Sequence, residues 1–156
     1  MINNVQELID AEKARLANAM PWTPDGAGDA GFFDDFHNYD EIKSYIQNLA
    51  ATHPGLATYF VAGKSLENRD IFGLRISGPG NNPGRPAYFI QGTQHAREWG
   101  NTSCTVYHAD ALLTQYASNP TIKELVDSLE FIVIPIVNPD GYVHTWGPDR
   151  LWRKIR

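Results

Sequence analysis

One stretch of the 156-residue chain, Gly92-Thr93-Gln94-His95-Ala96-Arg97-Glu98-Trp99, carries side chains that could do chemistry together. His95 and Glu98 offer an imidazole nitrogen and a carboxylate oxygen three positions apart, a donor pair that can share one divalent ion. Zinc accepts this set at ~2.0–2.2 Å, and a catalytic zinc takes three protein ligands with one position open. The plain alternative is a chance pair, because His-x-x-Glu is a short pattern. A second stretch, Asn138-Pro139-Asp140-Gly141-Tyr142, reads by itself as a turn sequence. A third gathers cations: Arg150, Arg153, Lys154 and Arg156 fall within seven positions. Such a cluster is either a solvated basic face or a set of guanidinium groups aimed at an anion or a developing oxyanion.

These side chains need elements to hold them. Ala87 to Gln91 is a short apolar run, expected as a buried strand, and a helix is expected from about Glu98 to Tyr116. The first stretch then lies at the carboxyl end of a sheet strand, where open α/β folds place their ligands. Leu129 to Val137 is almost continuously apolar, the pattern of a central strand covered on both faces. Upstream, Asn38 reads as an N-cap, and Ile42, Tyr45, Ile46 and Leu49 follow at helical spacing until Pro54-Gly55. Leu56 to Ala62 and Ile71 to Ile76 read as strands joined by a polar turn, Gly78 to Pro86 as a loop, and Thr121 to Ser128 as a helix. Strands separated by helical crossovers give an α/β class with a largely parallel centre. At the start, residues 3–20 predict an amphipathic helix with Val5, Leu8, Ile9, Leu16 and Met20 on one stripe and a capping box from Asn4 to Glu7. Pro21, Pro24, Gly26, Gly28 and Gly31 then mark a linker through about Asp35.

Composition narrows the classes further. With 42% hydrophobic and 20% charged residues the chain reads as one ordinary globular domain at most, which excludes a collagen-like repeat or a disordered tail. No run approaches the ~18 apolar residues of a membrane span. Thirteen basic against 18 acidic residues, a net charge of -5, argue against a broad nucleic-acid footprint. Cys104 is alone, so no internal disulfide is possible. Met1 to Asp10 is polar and has no signal-peptide core.

Taken together, GTQHAREW, IPIVNPDGY and RLWRK, in this order and at this spacing, resemble the zinc metallocarboxypeptidases of the carboxypeptidase A/B type. The pattern there is G-x-H-x-R-E, then N-P-D-G-[YF], then N-R-x-W-R-K. The likeness runs from about residue 37 to the end, with Asp149 where the family has Asn before Arg150. It implies a three-layer α/β/α fold with a mixed, centrally parallel sheet, present here only in part. It implies that His95 and Glu98 are the first two ligands of one Zn2+. By the same likeness Arg153 polarises the scissile carbonyl, touches substrate and stabilises the oxyanion, and Arg97 and Arg150 hold the peptide upstream of the scissile bond. His108 is expected to be a helix-surface or core residue, and His37, His53 and His144 receive no role.

MINNVQELIDAEKARLA resembles the last helix of the activation segment of secreted procarboxypeptidases. Residues 1–36 would then be that helix and a connecting segment cut by an activating endoprotease, and residues 37–156 the N-terminal part of the catalytic domain. In the family, an Asn-Arg pair for the substrate carboxylate, the third zinc ligand, a tyrosine and a glutamate general base all follow W-R-K. The resemblance therefore implies a piece, inactive alone, of a secreted zymogen that releases single amino acids from peptide or protein C-termini. The alternative is a non-catalytic binding or inhibitory module. Ending at Arg156 is expected to leave Leu129–Val137 as an open, apolar sheet edge.

Overall fold

A computed structural model describes residues 4–19, 22, 31–80 and 84–156. Met20 of the predicted stripe, and Pro21, Pro24, Gly26 and Gly28 of the predicted linker, lie outside the described residues. Strands β1 (Ala57–Lys64) and β2 (Asp70–Ile76) form an antiparallel hairpin with a bulge between Val61 and Gly63. Strands β3 (Ala87–Gln91) and β4 (Glu130–Ile134) complete a sheet of order β1-β2-β4-β3. β4 runs antiparallel to β2 and parallel to β3, so the sheet is mixed, as expected.

The run Leu129–Val137 is central, with a partner on each side, but only Glu130–Ile134 is strand. The predicted open edge is therefore not β4. It is β3, expected as a buried strand, that lies at the margin, with Tyr88 58% and Phe89 54% exposed. The reason is pairing: a short parallel strand is covered only where neighbours flank it, and β3 has one neighbour among the described residues.

Five α-helices accompany the sheet among the described residues: α1 (Val5–Asn18), α2 (Tyr39–Thr52), α3 (Trp99–Thr114), α4 (Pro120–Ser128) and α5 (Pro139–Trp146). α2 begins where sequence chemistry says it must. The Asn38 side chain accepts from the amides of Asp40 and Glu41, and Glu41 answers by accepting from the Asn38 amide. Such a cap contributes ~1 kcal/mol. In β2, Phe72, Leu74 and Ile76 point one way and are buried against Ile42, Ile46 and Leu49 of α2 and Val106, Ala109 and Leu113 of α3. The other side of the sheet carries exposed Arg75 and Phe89, so the second helical layer is not built from the described residues.

α1 buries no residue, and Val5 and Leu8 are more than half exposed. Its Asn4 side chain accepts from the Gln6 amide and donates to Glu7, without the reciprocal bond of a capping box. No helix among the described residues is long and apolar enough to cross a membrane.

Candidate metal centre and oxyanion arginine

β3 carries the chain to Gly92, whose amide donates to the Ile134 carbonyl at 2.9 Å while its own carbonyl accepts from Val137 at 3.1 Å. A β-carbon at Gly92 would stand 2.6 Å from both the Pro135 carbonyl oxygen and the Thr105 hydroxyl, so only glycine passes here. Thr93 follows with φ +54°, a left-handed conformation that costs a β-branched residue ~1–3 kcal/mol. Its fully buried hydroxyl holds it there, bonded to the Thr102 hydroxyl and to the Pro135 carbonyl at 3.1 Å. Ala96 and Trp99 then turn inward. The Trp99 indole donates to Thr145 at 2.8 Å and stacks on Trp146 with centroids 4.2 Å apart.

With those neighbours facing the core, His95 and Glu98 are left facing solvent, their side chains 34% and 43% exposed. His95 Nδ1 lies 2.8 Å from Glu98 Oε1, and Arg153 Nη2 approaches the same nitrogen to 3.4 Å. A single imidazole nitrogen can donate to the carboxylate or accept from the guanidinium, not both. The structure thus brings three of the five sequence-predicted residues to one atom. Among the described residues, no three His, Cys, Asp or Glu side chains gather to hold a metal.

Arg97 and Arg150 sit to one side. Arg150 donates to Glu12 of α1 at 2.7 Å and to the Arg97 carbonyl at 3.1 Å, and its guanidinium lies 3.5 Å from the Trp99 ring centroid. Arg97 reaches the Leu151 carbonyl at 3.5 Å. Together with Leu8, Ile9 and Glu98 these groups line a cleft of about 390 Å³ between α1 and the His95 turn. The remaining histidines lie elsewhere. His108 is exposed on α3 and bonds the Cys104 carbonyl, His37 bonds Glu41 and the Phe32 carbonyl, His53 caps α2, and His144 meets Arg156.

Asn138-Pro139-Asp140-Gly141 is more than the turn its sequence suggests: it starts α5, with Asn138 as N-cap and Pro139 in the first position. Asn138 is 5% exposed and joins all three stretches, accepting from the Gly141 amide and donating to the carbonyls of Gln94 at 3.3 Å and Lys154 at 3.1 Å. Asp140, 3% exposed, accepts from the Ser65 hydroxyl at 2.7 Å, the Glu67 amide at 3.0 Å and Arg69 at 2.7 Å. Burial pushes the Asp140 carboxyl up, but these three donors outweigh it and hold it below the ordinary carboxylate value. Sequence reasoning missed both residues as supports of the site. The legible signal was an Asn followed directly by Pro, a helix start as well as a turn.

Residues 42–156 match the family model described as zinc carboxypeptidase. The chain is 44% identical over 130 residues to a metallocarboxypeptidase A of Trichophyton tonsurans, covering 83% of the chain and 31% of that protein. It is 34% identical over 165 aligned positions to an inactive metallocarboxypeptidase of Saccharomyces cerevisiae, covering 99% of the chain and 38% of that protein. The crystal structure of carboxypeptidase A from Helicoverpa armigera superposes with a TM-score of 0.84 at 35% identity, over 100% of the chain and 37% of that structure. The chain thus spans about a third of the length of the curated relatives it matches.

Proposed function

Because the chain belongs to the zinc carboxypeptidase family, we propose that it carries the first part of a site that hydrolyses the C-terminal peptide bond and releases single amino acids. The observation that carries this reading is the meeting of His95, Glu98 and Arg153 at one imidazole nitrogen. The donor set fits zinc. With the ring proton on Nε2, Nδ1 of His95 and the Glu98 carboxylate, which lie beside each other, would both be donors that zinc accepts. His95 and Glu98 would hold the ion. Zinc in such a site supplies Lewis acidity toward a carbonyl and toward water.

The other steps fall to the chain itself. Arg153, its guanidinium already beside His95, would meet the oxyanion that develops as the carbonyl is attacked. Arg97 and Arg150 would hold the peptide upstream of the scissile bond. In the described structure Arg150 is engaged by Glu12, so α1 would act as the closing helix of an activation segment, shielding that subsite until an endoprotease cuts the connecting segment. Secretion as a zymogen follows from the same reading. A third ligand and a general base would have to come from beyond the described residues, so the described residues by themselves are expected to be inactive.

A second reading, a non-catalytic module, is favoured by the inactive yeast relative and by the absence of a third ligand among the described residues. One experiment separates the two. The protein is expressed with whatever sequence its gene places after Arg156, supplied with zinc, and given a peptide with a free or a blocked C-terminus. Trimming of the free peptide alone, lost in His95→Ala, supports the enzyme. A transcript that stops at Arg156, with no trimming, supports the module.

A further inference from the structure

We propose that Asn138 is a positioning residue whose carboxamide sets the spacing between the His95 segment and the Arg153 segment. The proposal rests on reading His95 and Arg153 as the metal-facing and oxyanion-facing groups. Its two amide protons are both spent on main-chain carbonyls: Gln94, one residue before His95, and Lys154, one residue after Arg153. Alongside, the Ala96 amide donates to the Arg153 carbonyl at 3.1 Å. The two segments are thus tied on both sides of His95 and at the carbonyls of Arg153 and the residue after it, and every tie ends on a backbone oxygen.

The side chain suits this work in a way its close relatives do not. A carboxamide supplies one acceptor and two donors from one planar group. Its oxygen takes the Gly141 amide at the start of α5 while its nitrogen bridges the two segments. Aspartate would turn an oxygen toward two carbonyl oxygens, and serine has at most one donor. Space has been cleared for the group as well. A β-carbon on Gly141 would lie 2.7 Å from Asn138 Nδ2 and 2.8 Å from the Ala96 methyl.

The cap and the clamp can be separated. Asn138→Ser keeps an acceptor for the Gly141 amide and removes the bridge; Asn138→Ala removes both. Amide hydrogen exchange is followed by NMR in the metal-free chain at Ala96, which reports the joint between segments, and at Tyr142, whose amide donates to the Asn138 carbonyl and reports α5. In Asn138→Ser, exchange at Ala96 should accelerate about tenfold or more while Tyr142 stays within about twofold. Unchanged protection at Ala96, or equal loss at both amides, would overturn the proposal. The wild-type protein supplies a second measurement that needs no variant: both Asn138 side-chain amide protons should exchange slowly, and fast exchange of the pair would sink the clamp. A Zn2+ titration of wild type against His95→Ala tests the metal reading separately. If the two bind zinc alike, that reading fails while the exchange result stands.

Discussion

Replacing Asp140 with alanine should destabilise the chain by about 3 kcal/mol, at the low end of the cost of breaking a buried charged pair. The magnitude comes from its three donors. The Ser65 hydroxyl is least affected, because it also accepts from the Arg69 amide at 3.0 Å and can turn. The Glu67 amide loses its acceptor, but Glu67 is exposed and water can take the bond in part, so this loss sits at the low end of ~1–3 kcal/mol. Arg69 keeps Glu67 Oε2 at 2.5 Å and its side chain is 27% exposed, so water compensates part of its loss. For a domain of this size ~3 kcal/mol corresponds to a fall of about 6–12 °C in Tm. Asp140→Asn, which keeps one acceptor oxygen, should lose about half as much.

The pH dependence gives an independent check. The folded carboxyl lies below its ordinary value, so its contribution is complete above the unfolded value of ~3.9 and is lost as pH falls through the lower folded one. The gap between wild type and Asp140→Asn should be flat from about pH 7 to 5 and narrow below about pH 4. Urea unfolding followed by circular dichroism measures all of this. A loss under about 1 kcal/mol in Asp140→Ala, or a gap that widens in acid, would refute the reasoning.

Two further outcomes follow from the geometry. Arg153→Ala, in a form of the protein that turns over peptide, should lower kcat by about a hundredfold, the cost of one oxyanion donor, while zinc content by atomic absorption stays unchanged; equal loss of both would make its role structural. Phe89→Lys should reduce self-association of the chain in light scattering, because it puts a charge on an apolar edge strand that is paired on one side only among the described residues. No change in association would mean that β3 is not the sticky edge.

Much of this was legible in the sequence, for reasons that differ from place to place. α2 announced itself because one residue, Asn38, supplies the cap and four apolar side chains keep helical register behind it. His95 and Glu98 were legible as a pair because three residues of separation across a strand-to-helix turn is a local matter. What could not be read is what depends on distant neighbours. Burial of β3 turned on which strands flank it, and that is decided by pairing, not by its own apolar residues. The strained Thr93 gives no sign in its own sequence, since the groups that hold it are Thr102 and Pro135. Arg150 looked free to meet a substrate, and only the packing of α1 shows it paired with Glu12.

The parallel pairing of β3 with β4 also sets an order in time. The β1–β2 hairpin is closed by its own turn, and contacts this local form in microseconds. β3 has no such partner at hand: Ala87 waits for Glu130, with α3 and α4 lying between them in the chain. Gly92 and Thr93 wait too, because their bonds run to Ile134 and Pro135. The entry to the turn that carries His95 and Glu98 therefore gains its long-range hold only when that long loop has closed, although the contact between the two side chains is local. A nascent chain holds both side chains well before it holds a site.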